Sequence, residues 1–192
     1  MTRLLLALVL ATSLTACGFH LRDKLTLPAG TPAVKVVSSA PYSELVKLLE
    51  RGLRASGAQI AEKDVNTGVA RLEVLSERWG DLPIALDAEG RAQEYSLRYA
   101  AIFVFRLPDG SDLVPQQVIE LSRDYVSPPT DATGTTTERE ILADELRREM
   151  SASILRRIDS VARAQIRDGR SDFNGGGVPP AEPATPPATQ QP

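Results

Sequence analysis

The sequence predicts an α+β fold, a two-layer sandwich in which two helices pack on one face of a mostly antiparallel four-stranded sheet. Three observations point to it. A run of alternating apolar residues over 92–107 is followed by a turn signal and a second alternating run, which makes a long antiparallel hairpin. Two segments with helical spacing, opening at Ser43 and Thr137, lie on either side of the strand region. A short β-branched run precedes the first of them, so the order reads β-α-(β)-β-β-β-α. With 192 residues, 42% hydrophobic and 24% charged, the chain has material for one ordinary core.

Each element has a local cause. Ala33-Val34-Lys35-Val36-Val37, bounded by Pro32 and Ser38-Ser39, is the first strand. Ser43-Glu44 opens a helix whose Leu45, Leu48, Leu49 and Leu53 share one face, and Ser56-Gly57 closes it. A weak strand is expected at 58–61. Residues 71–79 form another strand through Leu72 and Val74, with Leu75 on the opposite face, and Gly80-Asp81-Leu82-Pro83 reads as a turn after it. In 92–107, Tyr95, Leu97, Tyr99, Ala101, Phe103 and Phe105 share one side, and beyond Ala100 both sides are apolar, which marks a central strand. Pro108-Asp109-Gly110 turns the chain into 118–125, where Ile119, Leu121 and Tyr125 share a side. The segment 130–137 reads as a polar loop, and Thr137 with Glu140 as a capping box. The helix then runs to about Asp168 with Leu142, Leu146, Met150, Ile154, Ile158, Val161 and Ile166 near one stripe. Acidic residues crowd its first half and Arg156, Arg157, Arg163 and Arg167 its second, complementing the helix dipole.

The two ends read differently from the domain at 30–170. Residues 1–16 have a charged start at Arg3, an apolar run at 4–11 too short to span a bilayer, and small residues before Cys17, the pattern of a signal peptide. Leu14-Thr15-Ala16-Cys17 resembles the bacterial lipobox, in which the cysteine is acylated and becomes the first mature residue. Cys17 is the only cysteine of the chain, and 17–29 is then a lipidated linker. Acyl chains contribute about 0.8 kcal/mol per buried CH₂, so a multiply acylated Cys17 holds the chain to a membrane. The resemblance to such lipoproteins implies that Gly18 after the cysteine, where an Asp would favour inner-membrane retention, permits export to the outer membrane, so the expected address is its periplasmic side. Residues 171–192, rich in Pro and Gly, are expected to form a disordered tail.

Composition excludes several function classes. With 22 basic against 25 acidic residues and a net charge of −3, the chain lacks the basic field of a nucleic-acid binder. One Cys and one His cannot assemble a zinc site or a disulfide framework, and no metal or other cofactor is expected. His20 has no nucleophile or orienting group near it in sequence, so no catalytic residue is assigned and the chain is not expected to be an enzyme. Asp87, Glu89 and Glu94 read as a solvated acidic loop.

Cys17-Gly18-Phe19-His20-Leu21-Arg22 directly after the lipobox resembles the mature start of the LptE family of outer-membrane lipopolysaccharide-assembly lipoproteins. Further matches are Gly90 before Glu94-Tyr95, Leu107-Pro108 with Gly110, Ser127-Pro128, Asp144-Glu145-Leu146-Arg147 and Ile154-Leu155-Arg156. The resemblance spans Cys17 to about Asp168. It implies two helices on a four-stranded sheet, a 1:1 complex with the β-barrel LptD whose lumen the lipoprotein plugs and whose assembly it supports, contact with lipopolysaccharide, and no catalysis. It also implies basic residues in the turn before Glu94-Tyr95 and in the loop before the last helix. Here Ala88 holds the first position, with Arg91 three residues on, and 130–137 has neither Lys nor Arg.

The candidate lipopolysaccharide contacts are therefore Arg91 foremost, with Arg78, Arg98 and Arg106, whose guanidinium forks suit phosphate groups. Each also suits a polar sheet face turned to water or to a barrel wall. Trp79 is either an interface anchor or a residue capping the core. A stand-alone envelope adaptor anchored in the outer membrane is the alternative to the barrel complex.

Overall fold

A computed structural model describes residues 31–40, 42–127 and 132–167. Cys17 and the expected signal, linker and tail segments lie outside the described residues. Strand β1 (Val34–Ser38) leads into helix α1 (Glu44–Ala55), followed by β2 (Ala70–Leu86), β3 (Ala92–Arg106), β4 (Asp112–Val126) and helix α2 (Ala132–Arg167). The sheet order is β1-β2-β3-β4. β1 runs parallel to β2, from Val34↔Ala70 to Ser38↔Val74, because α1 carries the chain back between them. The other two pairings are antiparallel and use tight turns. This is the α+β arrangement read from the sequence.

Local chemistry sets the ends of α1. Ser43 caps its N-terminus by accepting the Val46 N–H at 3.4 Å. At the other end Gly57 takes φ 87°, and the bonds Gly57 N–H to Arg54 O and Ala58 N–H to Leu53 O, both 3.0 Å, close a Schellman motif. Leu45, Leu49 and Leu53 of α1 are fully buried together with Leu146, Met150, Ile154 and Ile158 of α2. Both stripes cover one side of the sheet, meeting Val34, Leu72, Leu97, Tyr99, Phe103 and Phe105 in a single core. The opposite side of the sheet carries Arg78, Arg98, Val118 and Glu120, all exposed.

Four sequence-based expectations are corrected. Gly80-Asp81-Leu82-Pro83 is not a turn: β2 continues through it, pairing Gly80↔Arg98 and Pro83↔Tyr95. β1 covers β2 only as far as Val74, so from there β2 has a free edge, and a proline lacking an N–H is tolerated on a free edge. Residues 58–61 make only an isolated bridge, Val34↔Ile60. β4 starts at Asp112, well before 118, with Pro115 on another sheet edge. Finally α2 already begins at Ala132, so Thr137 and Glu140 lie inside the helix and form no capping box; 132–137 is not loop. The expected C-terminal limit, Asp168, lies outside the described residues.

Candidate functional site

A register shift between Val74 and Ser76 resets the side-chain alternation of β2. Leu75 stays on the face away from the core, and after the shift Glu77, Trp79 and Asp81 are aimed at the helices. Each of the three fastens the sheet to a helix or to β1. The Glu77 carboxylate accepts from the hydroxyls of Ser43 at 2.5 Å, Tyr99 at 2.7 Å and Ser38 at 3.3 Å, tying the start of α1 to the sheet. Burial and the adjoining Glu77 push the Tyr99 phenol up, so it stays a donor. Trp79 stacks on Tyr99 with ring centroids 3.9 Å apart, and the Arg147 guanidinium of α2 sits 5.0 Å from the indole centroid. Of the two roles open to Trp79, this geometry matches capping the core.

Asp81 receives both arms of Arg139 from α2, Nε at 2.9 Å and an Nη at 2.8 Å, and the Tyr125 hydroxyl from β4 at 2.9 Å. The Arg139 bonds first, then Tyr125, hold the Asp81 carboxyl below the usual carboxylate range. Burial and the neighbouring Asp81 push Tyr125 up to about 12. Sequence reasoning missed Arg139. The expected loop before the helix has no cation, and Arg139 lies just past it, on a helix that starts earlier than the capping-box signal suggests.

The four candidate arginines do not form one site. Arg91 stands in the β2–β3 turn with its side chain 61% exposed, yet it is folded back on its own turn, Nε donating to Asp87 at 2.8 Å and an Nη lying 3.5 Å from Glu89. Two carboxylates therefore face its single charge. Arg106 lies at the far end of the sheet, between Glu73 at 2.9 Å and Asp112 at 3.1 Å, beside a cleft of about 330 Å³ that Arg71 and Leu107 also line. Only Arg78 and Arg98 come together. Both flank Ala100 on the helix-free face of the sheet, since Arg78 is opposite Ala100 and Arg98 lies two residues before it. Arg98 is 3.6 Å from Glu120, whereas Arg78 makes no ion pair among the described residues. The sheet half beyond β1 also keeps Leu82, Ile84 and Leu86 exposed.

Among the described residues no group of three or more His, Cys, Asp or Glu side chains could hold a metal, and no helix is long and apolar enough to cross a membrane.

Residues 31–158 match the family model described as LptE, lipopolysaccharide-assembly, a span that includes β1 to β4 and most of α2. The LPS-assembly lipoprotein LptE of Photorhabdus laumondii is 28% identical over 168 residues, 87% of this chain and 91% of that protein. Its counterpart in Pectobacterium atrosepticum is 27% identical over 83% of this chain and 86% of that protein. The crystal structure of rare lipoprotein B from Shewanella oneidensis superposes with a TM-score of 0.58 at 27% identity, covering 71% of this chain and 98% of that one. A lipoprotein B from Nitrosomonas europaea, 21% identical, shares the fold with a TM-score of 0.60 over 79% of this chain and 96% of that one. With the family model covering the whole sheet and both helices in part or in full, this chain belongs to the LptE family of lipopolysaccharide-assembly proteins.

Proposed function

We propose that the protein is an outer-membrane lipoprotein, acylated at Cys17 and held on the periplasmic side, that binds the β-barrel LptD 1:1, plugs and supports the assembly of that barrel, and takes part in delivering lipopolysaccharide to the cell surface. Its role is assembly and transport, without catalysis. The family match over 31–158 carries this reading. The fold is compatible with it: the helices cover one face of the sheet only, and the other face presents mixed charge and scattered apolar residues, a surface suited to the polar inner wall of a barrel. The exposed Leu82, Ile84 and Leu86 are of the kind that mark protein contacts. Co-expression with LptD followed by mild-detergent purification tests the complex, and a barrel recovered without this chain argues against it.

Direct lipopolysaccharide contact is proposed on the helix-free sheet face, where Arg78 and Arg98 are neighbours. A phosphate competes with Asp87 and Glu89 at Arg91 and with Glu73 and Asp112 at Arg106, whereas no carboxylate is ion-paired with Arg78 among the described residues. Arg78→Glu is accordingly expected to weaken lipopolysaccharide binding about tenfold, an effect of ~1.4 kcal/mol, and Arg91→Asp by less. Equal binding of the Arg78 variant and the parent moves the contact off this face.

A further inference from the structure

A second surface of the molecule gathers hydrogen-bond donors with no acidic side chain among them. Between the outer strand β4 and the second half of α2 lies a groove of about 450 Å³, lined by Gln117 and Ile119 from the strand and by Ser153, Arg156, Arg157 and Ser160 from the helix. That volume is within the roughly 300–1,000 Å³ typical of small-ligand sites. Each polar side chain on this lining can donate a hydrogen bond and none is acidic.

The cations of the groove are held by neutral groups. Arg157 donates through Nε to the Gln117 carbonyl oxygen at 2.8 Å, which leaves the Gln117 amide nitrogen as a donor. An Nη of Arg156 donates to the Ser153 hydroxyl at 2.7 Å, and the Ser160 hydroxyl donates to the Arg157 carbonyl at 2.8 Å. Neither arginine forms an ion pair among the described residues. Other arginines of α2 are ion-paired instead, Arg147 with Asp144 and Arg163 with Asp159, and Glu149, one turn before Ser153, holds Arg123 of β4. The cleft beside Arg106 fails the same comparison, because Glu73 lines it and binds the arginine. Two guanidinium forks, the Gln117 amide and the Ser153 hydroxyl around one opening match the several acceptor oxygens of a phosphoryl group better than a single carboxylate; the Ser160 proton is already given to the Arg157 carbonyl.

We propose that the β4–α2 groove binds a phosphomonoester group, with Arg156 and Arg157 as its principal donors. This goes beyond the proposed barrel complex and does not depend on it. A soluble phosphate compound and a phosphorylated lipid headgroup share this chemistry, and the test separates them.

The full chain carrying Cys17→Ala, which removes the acyl anchor, is titrated with inorganic phosphate and, separately, with phosphatidylcholine vesicles with and without phosphatidic acid. Binding is expected in at least one phosphate-bearing arm and is expected to fall about tenfold or more in Arg156→Gln/Arg157→Gln. Vesicle binding that requires phosphatidic acid, with no response to inorganic phosphate, assigns a headgroup; binding of inorganic phosphate, sensitive to the same substitutions, assigns a soluble ligand. Both arginines are exposed, so the double variant is expected to keep the parent's melting temperature. No binding in either arm, or binding indifferent to the two substitutions, overturns the proposal. Co-purification of the double variant with LptD is expected to be unchanged, so loss of the barrel complex and loss of the phosphate site are separate results.

Discussion

Asp81 gathers three elements at one carboxylate, being a β2 residue bonded to Tyr125 of β4 and to Arg139 of α2. Because the Arg139 fork lowers its pKa in the folded chain, the stabilisation is fully present above the unfolded carboxylate value of about 4 and is lost as the pH falls through the lower folded value. Both side chains of the pair are about a third exposed, so solvent screening limits the contribution to about 1 kcal/mol or less. Asp81→Asn is therefore expected to lower stability slightly at pH 7, with the gap to the parent closing as the pH is taken below about 4. Urea unfolding at several pH values checks this, and a gap that widens in acid contradicts it.

Helices α1 and α2 meet where Gly52 faces Leu155. A Cβ at position 52 falls 2.3 Å from Leu155 Cδ1. That contact is with the end of a flexible side chain, so Leu155 can give way at some cost in packing, offset by the helix preference of Ala over Gly, roughly 1 kcal/mol. Gly52→Ala alone is expected to be near neutral. In a Leu155→Ala background the same change is expected to be stabilising, and denaturant unfolding of the four variants of this cycle measures the coupling. Additive effects contradict the contact. The strand β3 and helix α1 are legible in the sequence because their apolar period, 2 or 3.6, is unbroken and their caps are local. The course of β2 is not. Gly80 and Pro83 carry strong turn signals, and only knowledge that β1 stops pairing at Val74 shows that they occupy a free edge. The same shift of register hides the inward roles of Glu77, Trp79 and Asp81, since alternation counted from Leu72 places them on the wrong face. Of the candidate site, the arginines are visible as residue types, but their worth as anion contacts depends on carboxylates that the turn at Asp87 and the strand pairing at Glu73 bring beside them. Arg156 and Arg157 read only as dipole complements, because the neutral partner that frames their groove, Gln117, is distant in sequence.

For the molecule as a whole, the described domain supplies the fold and Cys17 the proposed address. Cys17→Ala is expected to move the protein from the membrane fraction to the soluble periplasm, followed by fractionation, and an unmodified thiol at Cys17 in membrane-derived protein contradicts acylation. Deleting 171–192, a stretch whose composition offers few core contacts, is expected to leave the melting temperature within a few degrees of the parent. The most direct measurement of the proposed function is native mass spectrometry of the full chain co-expressed with LptD and purified in mild detergent. A single species carrying one copy of each chain is the predicted result; LptD alone beside free monomer of this protein, at matched expression, is the result that contradicts it.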